Sequence, residues 1–101
     1  MKLITKTLAA TIPGMYATED LSAKEKIVQC KFFDSRGSWT WYVIEYDPEE
    51  NIAFGLVQGF ETELGYISIT ELESLGVRIE RDLSWKPRSL AQLKEEIKRP
   101  Y

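Results

Sequence analysis

At 101 residues the chain has room for one hydrophobic core and no second domain, and its 44% hydrophobic and 29% charged residues are the proportions of an ordinary globular protein. Histidine is absent and Cys30 is the lone cysteine, which removes Ser-His and Cys-His nucleophile pairs, an internal disulfide, and every histidine or four-cysteine metal site. The net charge of -3 hides an asymmetry: from Glu45 to Glu80 nine acids face Arg78 alone, giving -8, while the rest carries +5. An acidic half repels or imitates nucleic acid and steers toward basic partners.

The N-terminal stretch has the faint look of a signal peptide, but Lys6 and the threonines interrupt the apolar run such a peptide needs. No run approaches a membrane span, so a cytoplasmic protein without a membrane partner is expected. Thr5 to Ile12 predicts a short first helix, capped by Thr5 and stopped at Pro13-Gly14. Met15 to Lys26 lacks periodicity and reads as a loop.

Ile27 to Phe33 predicts a strand, and Asp34-Ser35-Arg36-Gly37-Ser38 a turn. Trp39 to Tyr46 follows as the central strand, rich in aromatic and β-branched residues with large side chains on both alternating faces. Asp47 to Asn51 makes the next turn, Ile52 to Phe60 a third strand and Gly65 to Ile69 a fourth, after a tight connection through Glu61 to Leu64. Thr70 and Glu73 match a capping box, with a short helix ending at Gly76. Val77 to Leu83 suits an extended segment or fifth strand. Ser89 and Gln92 cap a last helix whose stripe is Leu90, Leu93 and Ile97, up to Pro100. The fold class that emerges is α+β: an antiparallel meander of four to five strands with short terminal helices packed on one face.

With symmetric hairpins, Val28, Cys30, Phe32, Tyr42, Ile44, Phe54 and Leu56 gather on a core face beneath the terminal helices. The opposite face collects Lys31, Phe33, Trp39, Trp41, Glu45, Glu61 and Tyr66, with the indoles lying across Gly55 and Gly59. Large rings beside missing side chains make a recognition surface, unless the Val77 to Trp85 segment or a helix fills it. An unidentified protein partner suits this surface. The alternative is single-stranded nucleic acid or a nucleotide stacked on the aromatics, with Lys31 and Arg36 as the positive charge and Glu45 and Glu61 against it. Lys94, Lys98 and Arg99 are too mixed with Glu95 and Glu96 to form a phosphate patch.

A third alternative is an enzyme in which Glu45, Asp47, Glu61 and Glu63 meet at a sheet end and hold a metal, although their spacing matches no known carboxylate loop. Phe54 to Gly59 carries two glycines within a strand and not a phosphate-cradling turn. Cys30 beside Phe32 reads as a core residue. A non-enzymatic protein with no catalytic residue, metal or cofactor is the expectation.

The stretches Tyr16-Ala17-Thr18-Glu19-Asp20, Lys31-Phe32-Phe33, Trp39-Thr40-Trp41-Tyr42-Val43, Phe54-Gly55-Leu56-Val57, Glu63-Leu64-Gly65-Tyr66-Ile67-Ser68, Glu71-Leu72-Glu73 and Ile79-Glu80-Arg81-Asp82-Leu83 resemble, in order, the bacterial family catalogued as domain of unknown function 2958. The resemblance implies a setting, that of plasmids, integrated conjugative elements and phages, and no mechanism or catalytic residue. Small acidic proteins of such elements often block host defence or replication machinery, so a binding protein that engages or inhibits a host or element-encoded protein through the Trp39 and Trp41 face or the acidic half is the leading expectation.

Overall fold

The structure is a computed structural model that describes residues 2–98. Arg99 and Pro100, assigned above to the basic tail and the helix end, lie outside the described residues. The elements run α1 (Lys6–Ala9), β1 (Ile27–Val28), β2 (Cys30–Asp34), β3 (Thr40–Asp47), β4 (Ile52–Gln58), β5 (Thr62–Ser68), α2 (Ile69–Ser74), a 3-10 turn (Gly76–Arg78), β6 (Ile79–Arg81), β7 (Arg88–Ser89) and α3 (Leu90–Lys98). The main sheet is antiparallel in the order β5-β4-β3-β2-β6, and β1 pairs separately with β7. The class is therefore α+β with a meander sheet, and Val77 to Leu83 does contribute a fifth strand.

Local signals account for most ends. The Thr5 hydroxyl accepts from the Leu8 N–H and caps α1. Ser89 accepts from the Gln92 N–H at the start of α3. Gly76, at φ +63, takes the left-handed position that stops α2. The box read at Thr70 is displaced by two residues: Ser68, not Thr70, caps α2 by accepting from the Glu71 N–H. Glu73 is engaged elsewhere, accepting from the Leu3 N–H and Asn51 Nδ2.

Register decides which side chains share a face. Trp41 pairs with Phe32 and Val57, and Val43 with Cys30 and Gly55. A bulge at Ile44 then shifts the ladder so that Glu45 meets Phe54 and Tyr46 meets Ala53. One face thus buries Cys30, Phe32, Val43, Tyr46, Ala53 and Ile67 under Leu3, Ile4, α1 and α2. The other buries Tyr42, Ile44 and Leu56 with Val28 under Leu90 and Leu93 of α3. The terminal helices therefore lie on opposite faces of the sheet, not on one as expected. Each covers a core of its own because both faces of β3 are apolar along their length.

Candidate functional site

Register also divides the residues read as one surface. Trp39, Trp41, Val57 and Gly59 stay together because the β3–β4 hairpin has the symmetric register. Phe33 pairs with Thr40 and Lys31 with Tyr42, which puts both on the α3 face; Phe54 pairs with Tyr66 on one side and with Glu45 on the other, and these go there too. The correction has two causes: the β2–β3 and β4–β5 registers each differ in parity from the symmetric hairpins assumed, which exchanges the faces of Lys31, Phe33 and Tyr66, and the bulge at Ile44 turns Glu45 over within β3.

Four elements build an aromatic ledge on the α1 side. The turn leading into β3 is closed by the Asp34 N–H donating to the Trp39 carbonyl at 3.0 Å, and by the Asp34 carboxylate accepting from the Arg36 N–H. Arg78 grips that carboxylate with two bonds of 2.8 Å. These bonds, Arg78 first, hold the Asp34 carboxyl below its usual range. Trp39 leaves this fixed turn and lies over Gly59, where an added Cβ would come within 2.5 Å of the indole. Trp41 stands 6.1 Å from it between centroids and is anchored in the core beside Val57. Phe60, at the β4–β5 tip, meets Trp39 edge-on at 5.3 Å and is 95% exposed. Gly55 does not form the open floor expected, because its Cβ position is taken by the Tyr42 carbonyl of the bulged strand. The floor beside Trp41 is filled in part, as Ile79 and the α1 residues Leu8 and Ala9 pack in the same cluster as Trp41 and Val57, while Trp85 packs on the other face, 5.7 Å from the Tyr42 ring.

Glu45 has a different role from the one read for it. It is 3% exposed, and its carboxylate accepts from the Tyr16 and Thr18 N–H groups, each at 2.9 Å, and from the Thr18 hydroxyl. Burial alone would raise this carboxyl, but the Thr18 and Tyr16 bonds and the nearby Lys26 charge outweigh it and hold the group below its ordinary value. The bonds clasp the Tyr16 to Asp20 loop onto the sheet, with Tyr16 in the left-handed region at φ 68. Beside the clasp lies a cavity of about 280 Å³ lined by Tyr16, Glu19, Lys26, Phe54, Leu64 and Tyr66. Tyr66, 62% exposed, leans edge-on against Phe54, and its hydroxyl lies 3.5 Å from that of Tyr16.

The carboxylates proposed to meet do not. Asp47 accepts from the Glu49 N–H in the β3–β4 turn, Glu45 serves the clasp, and Glu61 and Glu63 stand at the opposite end of the sheet. Among the described residues no group of three or more Cys, Asp or Glu could hold a metal ion. Cys30 is buried, and burial pushes its thiol up to about 12. Lys31 reaches over the Tyr42 ring at 5.9 Å, Phe33 is half-buried opposite Glu80, and Glu61 is exposed at the β4–β5 tip. The residue the sequence did not single out is Phe60. Its signal was there to read: a phenylalanine between Gly59 and Glu61 at a hairpin end has no inward position to occupy.

No helix among the described residues is long and apolar enough to cross a membrane. No curated protein and no solved structure matches this chain. A family model described as a protein of unknown function, DUF2958, matches residues 3–96, and the chain belongs to that family.

Proposed function

We propose that this chain is a non-enzymatic binding protein of a mobile genetic element, which engages and blocks a host or element-encoded protein through the Trp39, Trp41 and Phe60 ledge. The observation that carries this reading is Phe60, an aromatic ring kept in water yet supported edge-on by an indole that is itself seated on a glycine. Aromatic side chains that become desolvated in a complex dominate binding energy at protein interfaces. Glu61 and Glu63 beside the ledge are exposed, which suits a partner with basic groups around an apolar centre. A counter-defence role fits the setting of plasmids, conjugative elements and phages that the family resemblance implies.

Base stacking is the less supported reading. It needs Phe33, Tyr66 and Lys31 beside the indoles, and these residues belong to the other face. The test is comparative capture from host lysate on the immobilised wild-type chain and on a Trp39→Ala/Phe60→Ala variant. A protein retained by the first and lost from the second supports the ledge. A partner held equally by both removes it, and tryptophan quenching by oligonucleotides at moderate salt favours the nucleic-acid reading instead.

A further inference from the structure

The main sheet has two edges, and they are not alike. β6 spans three residues and offers little to pair with. β5 spans seven, Thr62–Ser68, in an unbroken register with β4, and it contains no proline, lysine or bulge of the kind that blunts natural edges, Glu63 being its one charged residue. Two of its side chains on the α3 face, Leu64 and Tyr66, are 40% and 62% exposed.

Neither packing nor backbone conformation among the described residues requires a glycine at position 65, the centre of β5. A Cβ there would meet nothing within 4 Å, and its φ is not left-handed. Glycine weakens a strand, and where packing and turn geometry do not require it, it often marks the close approach of another backbone. The direction of that approach follows from hydrogen bonding. The Gly59 N–H donates to the Glu61 carbonyl at 2.9 Å and the Ile69 N–H to the Asn51 carbonyl at 3.0 Å, both on the β4–β5 register. By the antiparallel alternation, Glu63, Gly65 and Ile67 then bond inward to β4, and Thr62, Leu64 and Tyr66 turn their N–H and C=O groups outward.

We propose that β5 is a homodimerisation strand, pairing antiparallel with the same strand of a second copy about a two-fold axis at Gly65. Leu64 then exchanges backbone bonds with the partner's Tyr66, and Thr62 lies opposite the partner's Ser68. All seven residues of the strand are paired in this register, more than in registers centred on Leu64 or Tyr66. Glu63 faces the partner's Ile67, so the like-charge contact of a Glu63-centred register is avoided. The axis falls on a pair without mutual hydrogen bonds, the point of closest backbone approach, where both strands lack a side chain. The product is one continuous sheet with both aromatic ledges on the same face. This inference does not depend on what the ledge binds.

Sedimentation of the wild-type chain at high micromolar concentration should give twice the 11.7 kDa mass of one chain. Tyr66→Pro deletes an outward N–H that has no partner within one chain, and should sediment as a monomer. Leu64→Lys should do the same and answers the question if the proline variant does not fold. Gly65→Cys should oxidise to a linked dimer, because its two copies would stand about 4.5 Å apart between Cα atoms, within disulfide range. Glu63→Cys should not, its copies being about 14 Å apart along the strands. Buried Cys30 does not compete. A wild-type monomer, an undiminished Leu64→Lys dimer, or equal cross-linking at Glu63→Cys would each overturn the proposal. So would a dimer lost in Phe60→Ala and kept in Leu64→Lys, which would place the contact on the ledge.

Discussion

At the scale of single residues, Glu45 shows how one carboxylate can look functional in sequence and prove structural in space. Its partners, Tyr16 and Thr18, lie 29 and 27 residues away, so nothing in the pattern around Glu45 announces them. A glutamine there has one acceptor oxygen where the carboxylate offers two, and alanine has none. Glu45→Ala should therefore cost about 1–3 kcal/mol by leaving buried donors unpaired, as read from urea denaturation. The sign of the pH dependence follows from the depressed folded value. The stabilisation is complete above the ordinary value of 4.5 and disappears as the pH falls through the lower folded value. Acid denaturation of Glu45→Gln should accordingly be shallower than that of wild type, and equal slopes would remove Glu45 from the account.

At the scale of elements, the two glycines that face each other across β4 and β5 behave oppositely. Gly55 lies beside the bulge, where an added Cβ would come within 1.8 Å of the Tyr42 carbonyl; the space over Gly65 is empty. Gly55→Ala should destabilise by about 1–3 kcal/mol or more, since backbone must move. Gly65→Ala should be neutral or stabilise the monomer by up to about 1 kcal/mol through reduced chain entropy. Thermal melts of the two variants at low protein concentration check the contrast.

The main strands and the Thr5 and Ser89 caps were legible because turn residues and alternation are local signals; the place of β6 beside β2 and the separate β1–β7 pair rest on long-range contacts and were not. Register was legible only where loop length was unambiguous, as in the acidic Asp47 to Asn51 turn. The Asp34–Trp39 closure and the Gly59 to Glu61 tip depart from the loops assumed by an odd number of positions. That was enough to send Lys31, Phe33 and Tyr66 to the wrong face while leaving Trp39 and Trp41 correctly joined.

At the scale of the whole molecule, one sheet carries a core on each side, where the sequence predicts one core beneath both terminal helices. The large apolar residues on both faces of Trp39 to Tyr46 required two covers, and the two terminal helices supply one each. Because both cores rest on the same strands, they should unfold together. Leu93→Ala, in the α3 core, should cost about 2–5 kcal/mol, and circular dichroism and tryptophan fluorescence should still report a single coincident transition. Separate transitions would mean that the α3 layer opens on its own.

Of the ledge's rings Phe60 is the one left in water, and it tests the ledge most cleanly because so little else depends on it. An almost fully exposed ring adds no more than about 0.5 kcal/mol to folding, so Phe60→Ala should melt with wild type. Calorimetric titration of the purified partner should nevertheless show binding to Phe60→Ala weakened about 30-fold, the equivalent of about 2 kcal/mol at a central aromatic anchor. An unchanged dissociation constant would contradict the ledge as the docking surface.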